Sequence, residues 1–206
     1  MTRKISNFLA VLSPIIGFGA YYYQMIDWFA LFGFFIFGPI LLLIPQWIIN
    51  KHQLREKFKP AAFYLLEISA IAIFVINSFG AIFAFKKISN YDSVAHILNS
   101  AIVYFVFLIL LFRRNGKYLD KAITVVFLFL AITSLGILWE AYQKYSDVLL
   151  GTHMFFDSSQ PIKADVAVDT FSNMIGAFIA AIAANFYWKN IKEKFLKWKR
   201  ISLMWE

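Results

Sequence analysis

The chain has 206 residues, 61% of them hydrophobic and 16% charged, well outside the balance of an ordinary soluble domain. It contains no cysteine, which excludes disulfides and thiolate metal sites. The net charge of +8 would suit a nucleic-acid partner in a soluble protein. Here the basic residues alternate with long apolar runs, so membrane topology explains them and no nucleic-acid role is expected.

The runs predict an all-α, polytopic transmembrane helical bundle of about six spans, near 5–24, 28–50, 61–85, 91–112, 122–145 and 164–188. With their flanks they are long enough to cross a hydrocarbon layer roughly 30 Å thick. Residues 1–188 form one transmembrane domain and 189–206 a basic tail. The first span starts with Arg3 and Lys4, but Pro14, Gly17, Gly19 and Tyr21–Tyr23 make a poor signal-peptide pattern, so it reads as retained. In the second span, Gly33, Gly38, Pro39 and Pro45 imply kinks whose freed carbonyls need other partners. Tyr21–Tyr23, Trp28 and Trp47 fit an aromatic belt.

The third span carries Glu67, roughly 10 Å along its helix, with Asn77 and Ser78 nearer the other end. The fourth opens Tyr91-Asp92-Ser-Val-Ala-His96, placing Asp92 and His96 on one face. The fifth ends Trp139-Glu140-Ala-Tyr-Gln143, with Asp147 just beyond. A polar loop is expected over Ser146–Lys163, containing His153 and Asp157. The sixth span begins with Asp165, Asp169 and Asn173 at four-residue steps, a single polar stripe on a helix, followed by Gly176, Ala180 and Ala184. Past Trp188, the residues Ile191, Phe195, Trp198, Ile201 and Trp205 alternate with lysines. That pattern describes an amphipathic basic helix on the anionic inner leaflet.

Of the 20 Lys and Arg, only Lys86, Lys87, Lys144 and Lys163 fall on the outer side if both termini are cytoplasmic. The positive-inside rule therefore predicts a plasma (inner) membrane protein with N-in/C-in topology. In that orientation Asp92 and His96, Glu140 and Gln143, and Asp165, Asp169 and Asn173 all reach the same depth near the outer face. Intramembrane carboxylates are costly unless they face protein, water or an ion. Several acids with one imidazole can hold a divalent cation such as Mg, Mn or Zn. They can also orient His96 as a general base, or lock helices together by hydrogen bonds.

Taken together, Tyr91-Asp92-x-x-x-His96, Glu140, Asp147-x-x-Leu150-Gly151-Thr152 and Asp165-x-x-x-Asp169-x-Phe171-x-x-x-Ile175-Gly176-Ala177 resemble the YjdF-like inner-membrane proteins. More loosely, Asp92…His96, Glu140-x-x-Gln143 and Asp169-x-x-x-Asn173-x-x-Gly176 resemble the VanZ-like proteins of glycopeptide resistance. Ser93 stands where those often carry lysine, and the stretch from Gln143 to Asp165 is longer than theirs. The resemblance covers residues 91–180. It implies a multi-span helical protein marked by Asp92, His96, Glu140, Asp165 and Asp169, and it supplies no reaction.

The leading expectation is an outward-facing site that binds a divalent cation or a polar headgroup. As an enzyme it would catalyse metal-assisted hydrolysis or transfer on a lipid or envelope precursor. Asp169, Glu140 and His96 would hold the ion, Asp92 would orient His96, and Asp165 or His153 would meet substrate. The alternatives are a proton-coupled carrier that uses Glu67 as well, and a structural or assembly protein whose cluster only joins helices.

Overall fold

The computed structural model describes residues 2–26, 31–51, 60–84, 88, 90–115, 119–150 and 162–195. Among them there are helices and no strands. Helix α1 is Thr2–Tyr22. Helix α2, Gly38–Lys51, is entered through a π-helical stretch, Leu31–Phe37. Helix α3, Pro60–Phe79, is prolonged by π-helical Gly80–Ala84. Then follow α4 (Tyr91–Asn115), α5 (Lys121–Leu150) and α6 (Ile162–Phe195).

Five helices are long and apolar enough to cross a membrane, and Leu31–Trp47 is a shorter apolar helix. The second expected span is thus the weakest, and Pro39 supplies a physical reason. Proline has no N–H, so the carbonyl four residues earlier, Phe35, loses its α-helical donor. The hydroxyl of Ser13 on α1 takes that carbonyl at 3.0 Å. A similar device closes α3: where it widens into the π-helical stretch, the Tyr91 hydroxyl donates to the Ile76 carbonyl at 2.8 Å. Asn90, at φ 62°, adopts the left-handed conformation that asparagine tolerates and turns the chain into α4.

Two boundaries differ from the expectation. Helix α5 has 30 residues and α6 has 34, so they run about 45 and 51 Å, beyond a hydrocarbon core of about 30 Å. Residues Ser146–Leu150 therefore belong to α5 and not to a loop, because Tyr142 to Leu150 contains no proline or glycine to stop the helix. Likewise α6 passes Trp188 without a break and carries Lys189, Lys192 and Lys194. The remainder of the basic tail, 196–206, lies outside the described residues.

Helix α6 lies between α4 and α5 and packs most extensively against both. The reason is written in its small residues: Ala177, Ala180, Ala181 and Ala184 are buried against Tyr104, Leu108, Phe112, Leu128 and Ile132. Lipid is as apolar as these side chains, so close packing and interhelical hydrogen bonds hold such helices together. Gly176 marks the tightest approach. A Cβ there would fall 2.9 Å from the Ile97 carbonyl carbon and nearer still to its oxygen. Phe112 and Trp188 close the far end of this core, edge to face at 4.9 Å.

Helices α1, α2 and α3 pack on one another, and α3 leans on α4. Polar side chains stitch this second group. Arg3 donates to Gln46, which donates to Asn7, each at 3.0 Å. The Thr2 hydroxyl donates to buried Glu67. Asn77 and Asn99 exchange amide hydrogen bonds between α3 and α4.

Candidate functional site

At the end of the trio opposite Phe112 and Trp188, three helices deliver polar side chains to one point. Helix α4 contributes Asp92, His96 and Ser100, one turn apart on one face. Helix α5 contributes Glu140, and α6 contributes Asp165, Asp169 and Asn173. From Glu140 back to Lys121 is about 28 Å of helix, and from Asp169 on to Lys189 about 30 Å. The cluster therefore lies about one hydrocarbon thickness from the basic ends.

His96 is the hub. Its Nε2 lies 3.5 Å from Asp92 Oδ1 and 3.9 Å from Asp169 Oδ2. Its Nδ1 lies 3.3 Å from Asn173 Oδ1 and 3.5 Å from Glu140 Oε1. Asn173 continues the network, accepting from the Ser100 hydroxyl at 2.7 Å and donating through Nδ2 to Glu140 Oε1 at 3.2 Å. Gly136, one turn before Glu140, makes the slot for Asn173: a Cβ at 136 would sit 2.8 Å from the Asn173 Cβ. Each of His96, Ser100, Glu140, Asp165, Asp169 and Asn173 is buried. The side chain of Asp92 is 42% exposed while those of Asp169 and Glu140 are 4% exposed. The cluster is therefore accessible along its Asp92 edge. Toward the interior, the next buried side chains are Tyr104, Leu108, Leu128 and Ile132.

One ligand atom from each of Asp92, His96 and Asp169 can be chosen so that all lie within 4.8 Å of one another. Ligands about 2.1 Å from a tetrahedral ion stand roughly 3.4 Å apart, so this set is somewhat wider than the spacing around a bound ion. Two carboxylates and an imidazole nitrogen are a donor set that fits zinc or manganese. The sequence expectation pairs Glu140 with the ion and sets Asp92 behind His96. The distances put Asp92 and Asp169 on the Nε2 edge and Glu140 on the Nδ1 edge.

The other expected residues distribute as follows. Asp165 is buried one turn outward on α6. Gln143 is half-buried on α5, and its Oε1 is enclosed without a hydrogen-bond partner among the described residues. The side chain of Asp147 and all of His153 lie outside the described residues. Glu67 is not part of the cluster; it belongs to the α1–α3 contact through Thr2. The sequence reading missed Ser100 and Gly136. Both were signalled by position, Ser100 four residues after His96 and Gly136 four before Glu140.

The family model for a predicted membrane protein (DUF2238) matches residues 5–190. The chain belongs to the DUF2238 family. This is a YjdF-like family, and the match extends the likeness beyond residues 91–180 to the first three spans. The VanZ-like link is not shown. No curated protein and no solved structure matches the chain. A multi-pass membrane protein of the DUF2238 family thus carries an Asp/His/Asp group, with His96 and Asp169 buried and Asp92 partly exposed, at one end of its bundle.

Proposed function

We propose that this DUF2238 member binds a divalent cation through Asp92, His96 Nε2 and Asp169, at a site facing the outside of the plasma membrane. The observation that supports this reading most is the convergence of two carboxylate oxygens on one imidazole nitrogen. Such an arrangement of acceptors repels itself in a low-dielectric setting unless a cation or proton sits among them. The outward orientation follows from the charge bias, with the N- and C-termini in the cytoplasm and the basic end of α6 against the anionic inner leaflet.

A divalent ion held there would polarise a water or headgroup oxygen approaching along the Asp92 edge. The reaction class this suits is metal-assisted hydrolysis or transfer on a lipid or envelope-precursor headgroup. In that chemistry Asp92, His96 and Asp169 hold the ion, Glu140 balances charge behind the imidazole, and Asp165 stands nearest the entrance on α6.

A second reading has its own support. Both ring nitrogens of His96 face acceptors, so a doubly protonated imidazole could bind the same acids and serve only to lock α4, α5 and α6. The proton-coupled carrier draws less support. Glu67 is engaged by Thr2, and Asn77 by Asn99 and the Ile73 carbonyl, on helices outside the cluster.

Elemental analysis and calorimetric titration of purified protein with Zn²⁺, Mn²⁺ and Mg²⁺, wild type beside Asp169→Asn, separate the readings. Stoichiometric binding that disappears in Asp169→Asn supports the cation site. No binding by a folded wild-type protein leaves the helix lock.

A further inference from the structure

We infer that Asn173, braced by Ser100 and Glu140, is the positioning residue that keeps the His96 proton on Nδ1 and turns the Nε2 lone pair toward Asp92 and Asp169. The inference rests on the cation reading for its purpose, but its geometry stands alone.

The argument is one of donors and acceptors. Asn173 turns its NH₂ to Glu140, with Nδ2 donating to Oε1 at 3.2 Å. The amide oxygen then faces the other way, where it receives the Ser100 hydroxyl at 2.7 Å. A carbonyl oxygen has a second lone pair, and His96 Nδ1 lies 3.3 Å from it. An amide oxygen cannot donate, so Nδ1 supplies the hydrogen. Glu140 Oε1 lies 3.5 Å from the same nitrogen. An imidazole holds a cation through an unprotonated nitrogen, so with the hydrogen on Nδ1 the nitrogen left for a cation is Nε2. Nε2 is the nitrogen facing Asp92 and Asp169.

Position 173 accordingly needs one donor and one acceptor on opposite edges of a short planar group. Aspartate would present oxygen to Glu140, and a hydroxyl could not span both partners. Gly136 contributes the space, since a Cβ there would also stand 3.1 Å from Asn173 Nδ2. A histidine that binds metal through one nitrogen commonly donates from the other to a fixed acceptor, and losing that acceptor weakens binding about 10–100-fold. Here the acceptor sits on α6, its brace Ser100 on α4 and its second partner Glu140 on α5, so the tautomer is set only when all three helices are assembled.

The test combines ¹⁵N-histidine NMR with Zn²⁺ titration of the full chain in detergent. It uses wild type, Asn173→Ala, Ser100→Ala and the hydroxyl-retaining Ser100→Thr, with folding of each checked by thermal melting. The expected spectrum of the zinc-loaded wild type has the His96 proton on Nδ1 and zinc bound at Nε2. Asn173→Ala should lose about 10–100-fold in zinc affinity and show mixed tautomers. Ser100→Ala should lose less, and Ser100→Thr should recover wild-type affinity and spectrum. Zinc bound at Nδ1, with the proton on Nε2, would overturn the inference. So would folded Asn173→Ala and Ser100→Ala proteins whose tautomer and affinity are unchanged. An Nδ1–H signal in a wild type that binds no zinc supports the positioning and sinks the cation reading alone.

Discussion

Replacing Gly176 by alanine tests whether the approach of α6 to α4 builds the site. The added Cβ would stand 2.9 Å from the Ile97 carbonyl carbon, where ordinary contact begins at 3.4 Å, so the backbones must part by at least about 0.5 Å, and further to clear the oxygen. The obstruction is main chain and cannot swing aside. Overpacking of this kind costs about 1–3 kcal/mol. His96 precedes Ile97 directly, and Asn173 and Asp169 lie one and two turns before Gly176, so the same separation opens the gap between Nε2 and Asp169. Metal sites tolerate about 0.2 Å in each ligand distance, and zinc affinity should fall at least tenfold. Thermal melting and zinc titration in detergent measure both effects. Gly19→Ala is the control, because a Cβ there meets nothing within 4 Å and should leave stability within about 1 kcal/mol. Should Gly176→Ala melt and bind zinc like wild type, the claim that helix proximity assembles the cluster is wrong.

Three further outcomes are expected. Tyr91→Phe removes the hydroxyl that takes the Ile76 carbonyl; melting should reveal a loss of about 1 kcal/mol, with zinc stoichiometry retained. Glu67→Gln keeps an acceptor for Thr2 and lies outside the cluster, so zinc binding should be unchanged by calorimetry; a large loss would show that the two ends are coupled. Protons compete with metal for imidazole and carboxylate ligands, so zinc affinity should weaken as pH falls, by up to about tenfold per pH unit for each proton displaced. Pairing titrations at several pH values with Asp169→Asn distinguishes that competition from unfolding.

The helices and the shared end of the bundle at which the polar residues lie could be read from the sequence because each depends on one chain segment at a time. Apolar runs give the spans, and steps of four give the faces bearing Asp92 and His96 or Asp165, Asp169 and Asn173. What could not be read depends on how helices rotate and pair. Periodicity says that Glu140 points inward but not which imidazole nitrogen it meets; that is decided by the seating of Asn173 over Gly136. Ser100 continues the Asp92–His96 face, yet a serine in an apolar span also serves simple packing, and only Asn173 opposite it separates the two. Glu67 carried the strongest single-residue signal outside the cluster, and its partner Thr2 is 65 positions away, beyond any local pattern. The effect of Pro39 was legible in kind, a freed carbonyl, while the donor Ser13 was not.

Burial and access together explain why the cluster suits a ligand that arrives from one face. Below Ser100 the space between α4, α5 and α6 is filled by Tyr104, Leu108, Leu128 and Ile132 against the alanines of α6. A charged species would lose its hydration there and find no polar partner to replace it. On the other side, Asp92 remains 42% exposed beside a nearly enclosed Asp169, so the cluster is open at its Asp92 edge. A through-pathway would require the apolar core below to separate, and that core contains the small-residue contacts that bring His96, Asp169 and Glu140 together. The geometry that assembles the cluster is the same geometry that seals it from the opposite end of the bundle.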